Sequence, residues 1–219
     1  MTPLVALSAI HKRFPGVYAL KGVDFDVLPG EVHALVGENG AGKSTLIKIA
    51  AGVYECEEGQ YRIAGEEVFL DGPRAALDRG IAVVYQELEL VASLSVAENL
   101  FFGRLPHGRG GRVLWDELYA ASAQLLAEVG LTVDPRTKVG YLGVAAQQLV
   151  EIARALSFEA RMIVMDEPTS ALSPREIEKL FALIARLKAK GVGLVYVSHK
   201  LDEIMALADR VTVLRDGVR

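Results

Sequence analysis

The sequence predicts an α/β fold, a mainly parallel β-sheet covered by helices on both faces. Three observations predict it. The runs 81–85 (IAVVY), 162–166 (MIVMD) and 193–198 (GLVYVS) are short and almost wholly apolar, with 211–214 (VTVL) as a fourth. Continuous apolar runs of this length are what parallel strands buried on both faces look like. Stretches of helical character separate them, near 115–129, 145–157 and 174–190, and strands alternating with helices build α/β layers. Finally, a glycine-rich segment at 37–42 stands between a predicted strand and a predicted helix.

Taken in order, residues 4–36 read as strands. Within them VDFDV at 23–27 alternates Val23, Phe25 and Val27 with Asp24 and Asp26, the period-2 pattern of a half-buried strand. Pro29-Gly30 makes a turn. EVHALVG at 31–37 is a strand running into the glycine-rich loop, and KSTLIKIAAG at 43–52 is a helix ending at Gly52. Residues 59–70 read as a further hairpin region. From about 88 to 157 the chain is mostly helical and carries the Gly/Arg-rich loop 103–112, so we expect a helical lobe inserted in the α/β core. Ser173-Pro174-Arg175-Glu176 is a helix start, with a Ser cap, Pro at the first position and Glu three residues after the cap. The expected division is one domain over 1–219, with 1–87 and 158–219 forming the core.

A length of 219 residues fits one large domain or a core with one inserted lobe. The net charge of −4 argues against a nucleic-acid-binding surface, which is normally basic. Cys56 is the only cysteine, so no disulfide forms within the chain, and it reads as a free thiol of a reducing compartment. The first residues lack the basic leader and apolar stretch of a signal peptide. No apolar run is long enough to span a bilayer.

The strongest chemical signal is Gly37-Glu38-Asn39-Gly40-Ala41-Gly42-Lys43-Ser44-Thr45, which fits the phosphate-loop pattern between strand and helix. Glycines let successive backbone N–H groups turn inward on phosphate oxygens without Cβ clashes. The helix N-terminus adds a partial positive charge. Lys43 supplies a mobile full charge for the β and γ phosphates, and Ser44 a hydroxyl for Mg2+. The second signal is Asp166-Glu167 at the C-terminal end of the MIVMD strand, where ligands of open α/β sheets bind. Asp166 can hold Mg2+ through water, and Glu167 can activate or orient an attacking water. Alone, a strand ending in Asp-Glu is an ordinary solvated strand end; the phosphate loop before it gives it weight.

Gln86 lies between these two elements in VVYQE. After them come Pro168-Thr169-Ser170-Ala171-Leu172-Ser173 and Val197-Ser198-His199-Lys200. This order of motifs resembles the nucleotide-binding domain of ABC transporters, over essentially the whole chain. The resemblance implies a P-loop NTPase core with an N-terminal antiparallel β subdomain and the inserted helical subdomain. It implies that Gln86 touches Mg2+ or the attacking water and links to a membrane subunit. It makes His199 a γ-phosphate contact and Tyr18, in FPGVYAL, the aromatic stacked on adenine. By their residue types alone, Gln86 could be a polar strand terminus, His199 a helix cap and Tyr18 a half-buried sheet residue. His11, His33 and His107 have no motif support and read as structural or surface residues, and Trp115 as packing in the helical lobe.

The chain departs from the family's Leu-Ser-Gly-Gly-Gln signature. Leu142-Gly143-Val144-Ala145-Ala146 occupies its place. Gly143 lacks the serine hydroxyl that would meet ATP of the opposite subunit, Ala145 adds a methyl where backbone approaches phosphate, and Ala146 lacks a polar side chain. One hydrogen bond lost to a charged group costs roughly 1.5–3 kcal/mol. Ser173 stands where the family usually has an aspartate.

VVYQELELVASLSVAENLFFGR, QQLVEIARALS and VSHKLDEIMALADRVTVLRDG are similar to the first half of ATPases serving ribose-, xylose- or galactose-type importers. That similarity implies a truncated N-terminal half of a tandem protein. The implied role is ATP hydrolysis powering sugar import at the cytoplasmic face of the membrane. The implied partners are integral permease subunits, a second ATPase half and, indirectly, a periplasmic or extracellular sugar-binding protein. The alternatives are a regulatory module that binds ATP with little turnover and a soluble ABC ATPase outside transport.

Overall fold

A computed structural model describes residues 1–219. Two sheets build the fold. The first is antiparallel, with strands β1 (Val5–Phe14), β2 (Val17–Val27), β4 (Glu58–Ile63) and β5 (Glu66–Glu67) in the order β2-β1-β4-β5. The second is parallel, with β3 (Val32–Gly37), β6 (Ile81–Val84), β7 (Met162–Asp166), β8 (Gly193–Val197) and β9 (Arg210–Leu214) in the order β6-β7-β8-β3-β9. The helices are α1 (Lys43–Ala50), α2 (Pro73–Asp78), α3 (Val96–Leu100), α4 (Trp115–Val129), α5 (Val144–Leu156), α6 (Pro174–Ala189) and α7 (Leu201–Leu207).

Period-2 geometry of the parallel strands divides the interior into two cores. Met162 and Val164 of β7, with Val195 and Val197 of β8, face a core shared with α1 and the antiparallel sheet, where Leu7, Val23, Phe25, Leu46 and Ile49 are buried. Ile163 and Met165, with Leu194 and Tyr196, face the other core, against Val150 and Ile152 of α5 and Leu183 and Leu187 of α6. Both faces of β7 and β8 are therefore dry, which is why these strands read as unbroken apolar runs, whereas the edge strand β9 buries Thr212 and Leu214 and exposes Val211 and Val213. Helix α1 is packed between the two sheets, so the loop that precedes it is fixed from both sides. Gly193 lets β8 pass close beneath the end of β2, because a Cβ there would come within 2.9 Å of Val27 Cγ1 and 2.8 Å of Leu28 O.

Several boundaries differ from expectation for local reasons. β2 begins at Val17, because its first half pairs with β1 through Arg13↔Tyr18 and His11↔Lys21 although its side chains do not alternate cleanly. Helix α1 stops at Ala50, and Gly52, in the left-handed region at φ 70, follows. Of the hairpin over 59–70, only Arg62↔Glu67 and Ile63↔Glu66 pair, and the chain then leaves the sheet. Helices α2 and α7, and α3 within the helical stretch 88–157, are too short to show a 3.6-residue repeat. A capping box at Ser95 and Glu98 starts α3, the one local signal for it.

Leu35 is fully buried in β3, two residues before the glycine loop. Leu35→Ala is expected to lower stability by about 2–5 kcal/mol, read as a lower urea midpoint with an unchanged slope.

Candidate functional site

The loop at the end of β3 owes its path to two glycines. Gly37 has φ 154, and a Cβ there would lie 2.3 Å from the Leu214 carbonyl oxygen of β9. Gly42, at φ 106, is the N-cap of α1, and its Cβ would lie 2.7 Å from Ala19 O and 2.8 Å from Leu20 Cδ2. Between them the Ala41 N–H donates to Glu38 O at 3.1 Å, closing a tight turn around Asn39 and Gly40. No side chain caps α1, so its first N–H groups face the loop interior as anion donors. Lys43 Nζ donates to Gly37 O at 2.7 Å and to Glu38 O at 3.0 Å, which holds the ammonium against the loop.

Two hollows flank the loop and share Ser44. Asn39, Gly40, Gly42, Lys43, Ser44 and Thr45 line one together with Phe14, Val17 and Ala19. Ser44 and Lys48 line the other with Tyr85, Gln86 and Asp166. A hydroxyl, an amide and a carboxylate that are far apart in sequence thus meet in one space.

Asp166 and Glu167 reach the site because β7 pairs in parallel with β8, Asp166 opposite Val197. The Glu167 N–H extends this ladder by donating to Val197 O at 3.0 Å. Beyond that point Glu167 turns into the left-handed region at φ 47, uncommon for a residue with a side chain. The turn brings its Oε1 to 3.1 Å from Nδ1 of His199, which follows β8 and is largely exposed. Burial, and then the neighbouring Glu167 carboxylate, push the Asp166 carboxyl above its ordinary range, while Lys43 and Lys48 pull it back. An acid in that position is poised to gain from a cation.

The segment Leu142–Ala146 opens α5. Gly143 is the N-cap, in extended conformation and with no side chain to cap the helix. Val144 is exposed. Gln147 donates to Leu142 O at 2.8 Å and steadies the entry from inside the helix. Gly143, Ala145 and Ala146 line a hollow with Leu172 and Glu176. Ser173 is the N-cap of α6 as its sequence predicts: its N–H and hydroxyl donate to Glu176 Oε2 at 2.8 and 2.6 Å, and the Glu176 N–H donates to Ser173 O at 3.0 Å. These bonds hold the Glu176 carboxyl below its ordinary range.

Val17 and Ala19 line the hollow beside the loop, and Tyr18 between them does not. Its hydroxyl is engaged by His11 Nδ1 and by Arg13 Nη2, the latter at 3.0 Å, and the Arg13 guanidinium lies over its ring at 4.3 Å. Phe14 is the aromatic that borders the hollow. Its residue type alone does not single it out, but the Pro15-Gly16 turn after it places it at the tip of the β1–β2 hairpin. His33 is buried, its ring bonded to Asp26 O at 2.7 Å and to Thr212 Oγ1 at 2.8 Å, and burial holds it below its ordinary value. His107 pairs with Val113 across the Gly/Arg-rich loop, and Trp115 stacks on Tyr119 in α4. Cys56 is unpaired.

A family model described as ABC transporter matches residues 20–170. A Burkholderia lata protein named for ribose/galactose/methyl galactoside import is 57% identical over 98% of this chain and 42% of its own length. A ribose import ATP-binding protein of Streptomyces avermitilis is 53% identical over 98% of the chain and 41% of its own. The chain therefore spans less than half the length of these relatives. Among solved structures, a nucleotide-free ATP-binding cassette from an ABC transporter superposes with a TM-score of 0.85 at 28% identity, covering 99% of this chain and 89% of that one. A dimeric cassette in a post-hydrolysis state, bound to ADP and Pi, superposes with 0.82 at 28% identity, covering 98% and 95%.

Replacing Ser173 by Ala is expected to cost about 0.5–2 kcal/mol through the weakened capping box of α6, and Ser173→Asp no less, because its carboxylate cannot donate to Glu176. Thermal unfolding of the two variants beside the parent checks both.

Proposed function

The chain belongs to the ABC transporter family, and on that premise we propose that it is the ATP-binding and ATP-hydrolysing part of a sugar importer. The observation that carries this reading is the convergence of Lys43, Ser44, Gln86, Asp166, Glu167 and His199 on one edge of the parallel sheet. ATP binds with its phosphates on the N–H groups of Gly37–Thr45 and on Lys43, and with its base in the hollow beside Phe14. That placement prefers Phe14 to Tyr18 as the stacking partner, since Phe14 borders the hollow beside the loop.

The donor set suits Mg2+. Ser44, Gln86 and Asp166 offer oxygen atoms, and no cluster of three His, Cys, Asp or Glu side chains forms a cage of its own. Mg2+ is usually held this way, by one or two carboxylates and substrate phosphates. Bound there, it would neutralise charge on the phosphates. Glu167 orients the attacking water and accepts its proton, while its contact with His199 fixes where that histidine meets the γ-phosphate. The gain is mainly in position and in electrostatic stabilisation of the transferring phosphoryl group.

Two such domains, facing head to tail, would place Leu142–Ala146 of each over the ATP of the other. The dimeric cassette among the similar structures supports this arrangement, and the length of the curated relatives supports a second half in the same polypeptide. Force would pass to a permease through the segment at Gln86, beside a groove lined by Leu77, Tyr85, Leu100, Phe102 and Phe158. No helix of this chain is long and apolar enough to cross a membrane. The bare cap at Gly143 favours one qualification: ATP bound opposite this segment turns over slowly, while ATP bound on this chain's own loop does not depend on it.

Glu167→Gln is expected to keep ATP affinity and lose most phosphate release, whereas Lys43→Ala loses affinity itself. Titration with a fluorescent ATP analogue and a phosphate-release assay on the full-length protein separate the two effects. Unchanged hydrolysis in Glu167→Gln would remove that residue from its role.

A further inference from the structure

Helix α7 buries an acid beside an apolar residue. Glu203 and Ile204 are 7% and 3% exposed, while Leu201 and Met205 are 72% and 85% exposed. An acid is buried on a short helix only where its charge is satisfied, and Glu203 is satisfied completely. Oε1 accepts the Thr169 hydroxyl at 2.7 Å and lies 3.1 Å from Lys200 Nζ. Oε2 accepts the Tyr196 hydroxyl at 2.7 Å, the Ser198 hydroxyl at 3.1 Å and a second approach of Thr169 at 2.9 Å.

These donors come from both segments that end in the site. Thr169 follows Glu167 by two residues, and Pro168 between them is held from the opposite side, where Gln148 of α5 donates to its carbonyl. Ser198 directly precedes His199, and its oxygen also accepts the Lys200 N–H at 3.0 Å. The residues that flank Glu167 and His199 are thus fixed to one carboxylate, while the two side chains themselves are free to meet each other and a substrate.

We infer that Glu203 is a positioning residue for hydrolysis: its carboxylate ties the turn after Glu167 to the strand end before His199 and so sets their spacing. This rests on the hydrolytic reading above. Glu203 touches neither Glu167 nor His199, so it acts on the rate through their placement and leaves the phosphate loop, which holds ATP, untouched. Two flexible segments without that tie would each sample positions about 1 Å away, and misplacement of that size costs on the order of a hundredfold in rate.

The test compares Glu203→Ala, Glu203→Gln and Glu167→Gln in the full-length protein, by steady-state ATP hydrolysis and by titration with a fluorescent ATP analogue. Glu203→Ala is expected to lower kcat on the order of tenfold to a hundredfold, with KM and analogue affinity within about twofold of the parent. Glu203→Gln regains much of the loss, because an amide oxygen still accepts from Tyr196 and Ser198. Glu203→Ala added to Glu167→Gln slows hydrolysis no further, since groups that act as a unit are not additive. A folded Glu203→Ala protein with parental kcat, or one that loses ATP affinity instead, overturns the inference while Glu167→Gln still reports a working site. Parental hydrolysis in Glu167→Gln overturns the hydrolytic reading itself. Should Glu203→Ala not fold, Thr169→Val decides: a several-fold drop in kcat at unchanged KM upholds the inference, and parental kcat ends it.

Discussion

The parallel pairing of β3 between β8 and β9, with β7 beyond β8, is the constraint on which the rest depends. Parallel strands in register send their C-terminal ends to one edge. The segments that leave β3, β6, β7 and β8 there carry Lys43, Gln86, Glu167 and His199. Residues separated by well over a hundred positions become neighbours without any long-range loop having to find its mark. The same pairing accounts for Gly37, which has no room for a side chain because β9 runs directly beside it.

The two cores explain why that edge stays fixed. β7 and β8 give alternate side chains to either side, so neither the antiparallel sheet nor the outer helices can shift without disturbing the strands between them. Helix α1 lies in the inner layer, and the loop ahead of it is thereby preorganised. Polar residues close to the site are satisfied within the protein, as Ser173 is by Glu176 and Glu203 by four neighbouring side chains.

Much of this was legible in the sequence where one residue type has one physical use. The phosphate loop, the Asp166-Glu167 strand end and the Ser173-Pro174-Arg175-Glu176 helix start each combine local chemistry with local geometry, and α4 shows its repeat over a full fifteen residues. Legibility failed where tertiary position decides. Phe14 and Tyr18 stand four residues apart on a hairpin, each with a cation over its ring, and only the fold sets Phe14 at the border of the hollow. Glu203 was hidden more deeply, since hydropathy gives the interior of α7 to its apolar residues, and the fold buries the acid beside Ile204 while leaving Leu201 and Met205 outside.

Gly143 and Ser173 share one property: each occupies the N-cap of its helix. At that position serine, aspartate and asparagine serve folding almost equally, and glycine is worse only by a few tenths of a kcal/mol. Folding therefore constrains the residue at Gly143 only weakly. A hydroxyl or carboxylate could be added at that exposed start of α5 with the protein left intact, whereas Ser173 is tied to its helix by the bond its hydroxyl donates to Glu176.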